Sequence, residues 1–217
     1  MRKLVRGFVA VLALLTASVA GAAASAPYEL DKQYVLVKQQ GSPPDTKKVL
    51  VQEFFWYGCP HCYAFDPYLE KWREHKPAWV NFERVPNTLG HEVGEVHARA
   101  FYVAQTLGIG DKIHTPLFDA LHRDRLPLTT LDSIRDFFVQ TAGIKAADFD
   151  AIADSFGVNN QLKRSFDLAV SYGIDSVPTI VVDGKYRTDA VKAGGFDDLI
   201  KVIDFLADKS RKERGLK

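Results

Sequence analysis

The stretch Val49-Leu50-Val51-Gln52-Glu53-Phe54-Phe55-Trp56-Tyr57-Gly58-Cys59-Pro60-His61-Cys62 runs an almost unbroken apolar segment into the only two cysteines of the chain. A segment this uniformly apolar reads as a central strand covered on both faces, because a half-exposed strand would alternate. Cysteines three positions apart put one sulfur at the start of a helix and the other one turn on, close enough to join and part as a disulfide. The chain therefore carries a single redox switch at a strand-to-helix junction.

Outward from this junction, Tyr63 to His75 shows apolar residues at Phe65, Leu69 and Trp72, the spacing of one helix face, with Pro67 expected to kink it. Val80 to Val85 reads as the next strand, closing a right-handed β-α-β unit. On the other side, Gln33 to Val37 is a short β-prone stretch and Gly41-Ser42-Pro43-Pro44-Asp45 is a turn. From Glu92 to about Tyr172 the pattern is helical only, interrupted at Gly108, Gly110, Pro127, Gly143-Ile144 and Gly157. Strand character returns at Thr179 to Val182. Asp183-Gly184 signals a two-residue hairpin into Lys185-Tyr186-Arg187, and a last helix carries Phe196, Leu199, Ile200, Ile203 and Leu206.

The 217 residues, 47% of them hydrophobic, suffice for a full core. Lys and Arg total 28 against 27 acidic residues, and without a long basic stretch nothing points to nucleic acid. Met1-Arg2-Lys3 with Arg6, the apolar run Phe8 to Ala20 and the small residues Ala20 to Ala26 read as a secretory signal peptide over residues 1–24, with cleavage between 22 and 26. The apolar run falls short of the roughly 20 residues that a spanning helix needs. Export takes the chain to an oxidising compartment, where a cysteine pair persists as a disulfide.

This order of elements is that of an α/β, thioredoxin-like fold with an inserted helical domain: residues 27–89 form the first part of the thioredoxin-like domain, 90–159 the helical insertion and 160–217 the second part. Glu53-Phe54-Phe55 before Cys59-Pro60-His61-Cys62-Tyr63, with Val177-Pro178-Thr179 opening a late strand, resemble the DsbA family of periplasmic thiol:disulfide interchange proteins. The likeness covers essentially the whole mature chain. It implies a periplasmic dithiol oxidase that donates its Cys59–Cys62 disulfide to unfolded exported proteins with free cysteines. It further implies reoxidation by a membrane quinone-linked partner of the DsbB type. No cofactor, no metal and no nucleic acid are expected, and a monomer is.

The chemistry asks for these residues because only a thiolate attacks or leaves well in disulfide exchange. Cys59, at a helix N-terminus, faces unpaired N–H groups and the positive end of the helix dipole, and His61 adds a donor or a charge. Cys62, one turn inside, is expected to be more buried and protonated when reduced. Lowering the Cys59 pKa stabilises the reduced form and makes the disulfide a stronger oxidant. Pro60 and His61 thus count with the cysteines as catalytic, His61 tuning the pair rather than merely facing solvent. The resemblance makes Pro178 a cis proline beside the disulfide, with Val177 offering backbone to substrate. Glu53 has two readings: a buried acid that relays the proton of Cys62, or a strand residue that reaches solvent or a basic partner. Trp56, Tyr57 and Tyr63 form a rim or pack in the core. His75, His91, His97, His114 and His122 form no ligand-spaced cluster, so satisfied or surface histidines are expected.

Other readings of the motif are weaker. A reductase or isomerase would want a dimerisation domain ahead of the first strand, and none is evident. A metal-binding protein would want a second pair of ligands beside Cys-x-x-Cys.

Overall fold

A computed structural model describes residues 27–41 and 47–216. The expected signal peptide and the Ser42 to Asp45 part of the expected turn lie outside the described residues. Strand β2 (Val49–Phe55) is buried along its whole length, as its apolar run requires. It feeds helix α1 (Pro60–His75), which returns the chain to strand β3 (Val80–Pro86), and β2 and β3 pair in parallel. Strands β1 (Val35–Leu36), β4 (Thr179–Val182) and β5 (Tyr186–Thr188) complete a five-stranded sheet in the order β1-β5-β4-β2-β3, with β4 antiparallel to β2. The first strand is shorter than the β-prone stretch Gln33 to Val37 suggests, although Tyr34 still makes a bridge to Leu30.

The two faces of β2 feed different cores. Val49 and Val51 pack with Phe65, Leu69 and the last helix, labelled α8 here (Phe196–Glu213), while Phe54 meets Tyr172 and Val181 on the opposite face. Each such large side chain contributes about 1.5–3 kcal/mol on burial. Helix α1 runs through Pro67, which has no N–H to give the Tyr63 carbonyl.

Between β3 and β4 lie only helices: α2 (Glu92–Thr106), α3 (Gly110–His122), α4 (Leu131–Ala142), α5 (Ala146–Ala153) and α6 (Phe156–Tyr172). They close over Phe101, Ile113, Phe118, Phe138 and Phe149, and the same cluster takes in Phe55, Tyr57 and both cysteines. The motif thus sits where the helical block meets the sheet. Helix α6 serves both sides, with Val158 in the helical cluster and Tyr172 on the sheet. The break before α6 falls at Asp154-Ser155, not at Gly157. Ser155 accepts the Val158 N–H and caps the helix, leaving Gly157 in its first turn.

Asp183 and Gly184 are both left-handed (φ 58° and 63°) and the turn closes through the Lys185 N–H to the Val182 carbonyl. The ladder resumes with Tyr186 opposite Val182, so the loop is one residue longer than the hairpin signal implied. A short helix α7 (Ala190–Ala193), capped by Asp189, precedes α8 and has no counterpart among the elements read from periodicity. Among the described residues no helix is long and apolar enough to cross a membrane.

Candidate active site

Cys59 occupies the N-cap position of α1 in an extended conformation, and Pro60 takes the first helical position, where its missing N–H costs nothing. Both cysteines are free thiols, Cys59 just short of full burial and Cys62 wholly enclosed. A hydrogen bond from the Cys62 thiol, with amide donors of Cys62 and His61 and the charge of His61, overcomes burial and draws the Cys59 thiol down to about 6. Burial pushes the Cys62 thiol far up, and the hydrogen bond to Cys59 and the charges of Cys59 and Glu53 add to the rise. The sulfurs are unequal: one is ready to carry charge, the other to hold a proton.

Facing them, the Val177–Pro178 peptide bond is cis, and the Cys59 thiol donates to the Val177 carbonyl at 3.5 Å. His61 is exposed and, with Val177, Pro178, Val191 and Phe196, lines a groove of about 720 Å³ beside the sulfurs. Val191 is 92% exposed there, an apolar side chain with no cover.

Glu53 is buried in the middle of β2 and opposite Arg84 in the β2–β3 register. Arg84 donates its Nε–H to Glu53 at 3.0 Å, an Nη2–H to Asp66 at 3.0 Å, and a further hydrogen bond to Glu70. One guanidinium serves three carboxylates. Burial pushes Glu53 up to about 7 despite Arg84, whereas at Asp66 burial is outweighed by the hydrogen bond from His114 and the charge of Arg84, which hold the carboxyl below its usual range. The carboxylates of Asp66 and Glu70 and the His114 ring lie close enough to hold a cation. Arg84 is that cation, and its charge already meets the acids a metal ion would need.

The sequence led us to expect satisfied or surface histidines: His75 and His91 are exposed, while His97 and His122 gather around Trp56 and Tyr57. The Trp56 indole N–H donates to His97 Nδ1 at 3.1 Å, and His97 Nε2 lies 2.8 Å from the Leu128 carbonyl. His91 stacks on Trp56. His122 Nε2 contacts the Tyr57 carbonyl at 2.7 Å and its ring stacks on Tyr63, whose hydroxyl donates to Asp119. Gly58 leaves room for this: a Cβ there would stand 2.4 Å from the Trp56 ring. Tyr57 is core, and Trp56 and Tyr63 are half-buried against the helical cluster.

Of the residues singled out from the sequence, the structure brings Cys62, His61, Val177 and Pro178 together around Cys59 and sets Glu53 behind Cys62, where its charge is felt. The sequence reading did not single out Arg84 or Asp66, and it took His114 only as a satisfied or surface histidine. A signal existed. Asp66 interrupts the buried stripe Cys62, Phe65, Leu69, Trp72 of α1, and a carboxylate in such a stripe demands a cation.

Residues 80–201 match the family model of the DSBA-like thioredoxin domain. A Thiol:disulfide interchange protein DsbA of Pseudomonas syringae pv. tomato is 38% identical over 208 residues, which cover 95% of this chain and 96% of the relative. The chain belongs to the DsbA family. The solved DsbA of Pseudomonas aeruginosa superposes with a TM-score of 0.80 at 35% identity, covering 86% of this chain and 96% of that one. A Proteus mirabilis DsbA, solved with a non-covalently bound peptide PWATCDS, gives 0.70 at 26% identity over 84% of this chain and 99% of that one. The thioredoxin-like fold with its helical insertion is thus the DsbA fold, and the chain is a thiol:disulfide oxidoreductase with Cys59 and Cys62 as its redox pair.

Proposed function

We propose that this DsbA-family chain works in the periplasm as a monomeric disulfide donor to unfolded exported proteins. The observation that carries the direction is the inequality of the two sulfurs: Cys59 drawn down to about 6 and Cys62 pushed far up in the same reduced pair. A reduced state stabilised in this way makes the closed ring prone to be given away.

A substrate thiolate forms a bond to Cys59 Sγ as the Cys59–Cys62 bond breaks, and the electron pair goes to Cys62 Sγ. Glu53, poised near neutrality, gives its proton to that sulfur and is left as a carboxylate beside Arg84. A second substrate thiolate then attacks the substrate sulfur of the mixed disulfide and releases Cys59 as thiolate. The substrate loses two electrons and the cysteine pair gains them. Cys59 as the attacked sulfur is favoured by its position at the groove, whereas Cys62 is wholly enclosed.

The groove beside His61, Val177 and Pro178 suits an extended polypeptide, with apolar walls for side chains and the strand-edge backbone of Val177 for pairing. The peptide held by the Proteus mirabilis relative supports the same use of this chain. The dithiol left after turnover requires an oxidant, and a membrane quinone-linked protein of the DsbB type fits the family.

A peptide bearing two cysteines tests the reading. One equivalent of peptide disulfide per oxidised protein is expected. Given the peptide already in its disulfide form, Cys62→Ser should accumulate a mixed disulfide at Cys59, whose thiolate opens the peptide disulfide and releases its other sulfur as thiolate, and Cys59→Ser should form none; trapping at Cys62 instead would refute the scheme.

A further inference from the structure

His114 is 7% exposed, on α3, and has partners on both ring nitrogens. Tyr57 OH lies 2.9 Å from Nδ1 and Asp66 Oδ1 lies 3.0 Å from Nε2. Burial keeps the Tyr57 hydroxyl protonated and holds the imidazole below its usual range, so the ring is neutral at pH 7. A neutral ring has one donor and one acceptor. Asp66 is a carboxylate that only accepts, so Nε2 carries the hydrogen and Nδ1 accepts from Tyr57. Every donor in the series then has an acceptor: Tyr57 gives to His114, His114 to Asp66, and Arg84 to Asp66, Glu53 and Glu70.

We infer that His114 is a positioning residue for disulfide exchange: by donating Nε2–H to Asp66, in the tautomer that Tyr57 dictates, it fixes the carboxylate that shares Arg84 with Glu53 and so sets how firmly Glu53 keeps its proton. The inference rests on the proposed acid role of Glu53 and adds a residue on a different element.

The sign follows from the sharing. Asp66 competes with Glu53 for one guanidinium and repels its carboxylate, so a fixed, anionic Asp66 keeps Glu53 protonated to higher pH. Without the His114 donor, Asp66 is held less firmly as an anion. Each proton it takes up removes a repelling charge and leaves Arg84 more fully to Glu53, which then ionises at lower pH. The charged groups facing His114 are Asp66 and Glu70 from α1 and Arg84 from β3, with the Tyr57 hydroxyl from the loop before α1. None of them reverses this order.

The test is the single-turnover rate at which a small thiol opens the oxidised pair, divided by the thiolate concentration and followed from pH 5.5 to 8.5. Wild-type protein should show a fall in this rate as Glu53 ionises. In His114→Leu the fall should move about one pH unit lower, the scale of a partly altered neighbouring charge. His114→Gln, which returns an Nε donor toward Asp66, should bring it back. A fall that stays in place in His114→Leu, or that moves but is not restored by His114→Gln, overturns the inference. Should His114→Leu not fold, the ¹⁵N shifts of the wild-type ring decide: a neutral Nε2–H tautomer at pH 7 upholds the inference, and an Nδ1–H or cationic ring overturns it. A wild-type rate with no such fall would sink the acid role of Glu53 itself, whereas a fall indifferent to His114 sinks only the step drawn here.

Discussion

The Cys59 thiol donates to the carbonyl oxygen of Val177 at 3.5 Å, joining residues 118 positions apart. That contact brings the helix that carries the reactive sulfur up to the residue before the cis proline. It places the sulfur beside backbone that an incoming polypeptide can pair with, and next to the groove that His61 shares with Val191 and Phe196.

Replacing His61 with Ser or Leu removes a positive neighbour that helps to draw Cys59 down. Thiolate absorbance should then titrate higher, and each unit of rise should make the pair about 30 mV less oxidising. An unchanged titration would remove His61 from the tuning of the pair.

The reduced protein should gain stability with pH. The Cys59 pKa is depressed from 9.0 to about 6 in the fold, so the contribution is fully present above about pH 9 and is lost as pH falls through 6. At pH 7 it should amount to about 1 kcal/mol, one unit's worth with an allowance for the partly open sulfur. Urea unfolding of the dithiol and disulfide forms across this range measures it. A difference between them that does not change with pH would contradict the assignment.

Arg84→Met leaves Glu53 and Asp66 buried without their cation. A loss of about 3–5 kcal/mol is expected at pH 7. Both carboxyls would then have folded pKa values above their unfolded ones, so the deficit should shrink as pH falls to 5 and they take up protons. Chemical denaturation at the two pH values checks both the size and the sign.

Val191→Asp puts a charge on the exposed apolar wall of the groove without touching either sulfur. Oxidation of an unfolded protein should slow several-fold while oxidation of a small dithiol stays as it was. Equal effects on both would detach the groove from polypeptide binding.

Much of this was legible in the chain. The uninterrupted Val49 to Phe55 run announces a strand buried on both faces, and the Cys59 to Cys62 spacing sets the sulfurs on the first turn of the helix that follows. What escaped was long-range. Helix α7 spans only Ala190 to Ala193, too short for a helical period to show, and Gly157 looked like a break because the cap that governs that site is Ser155. The site behind Cys62 was half visible. Glu53 stood out as an acid in an apolar strand, yet its partner depends on the β2–β3 register that sets Arg84 opposite it. His97, His114 and His122 are spread over two helices, and only packing draws them around Trp56 and Tyr57.

The reduction potential of the Cys59–Cys62 pair, measured by equilibration with glutathione over a range of pH, tests the central claim most directly. A value less negative than about −200 mV is expected, with a slope of about 59 mV per pH unit below pH 6 falling to about 30 mV above it, where Cys59 no longer takes up a proton on reduction. A value near the thioredoxin level of about −270 mV, with no change of slope near pH 6, would contradict it.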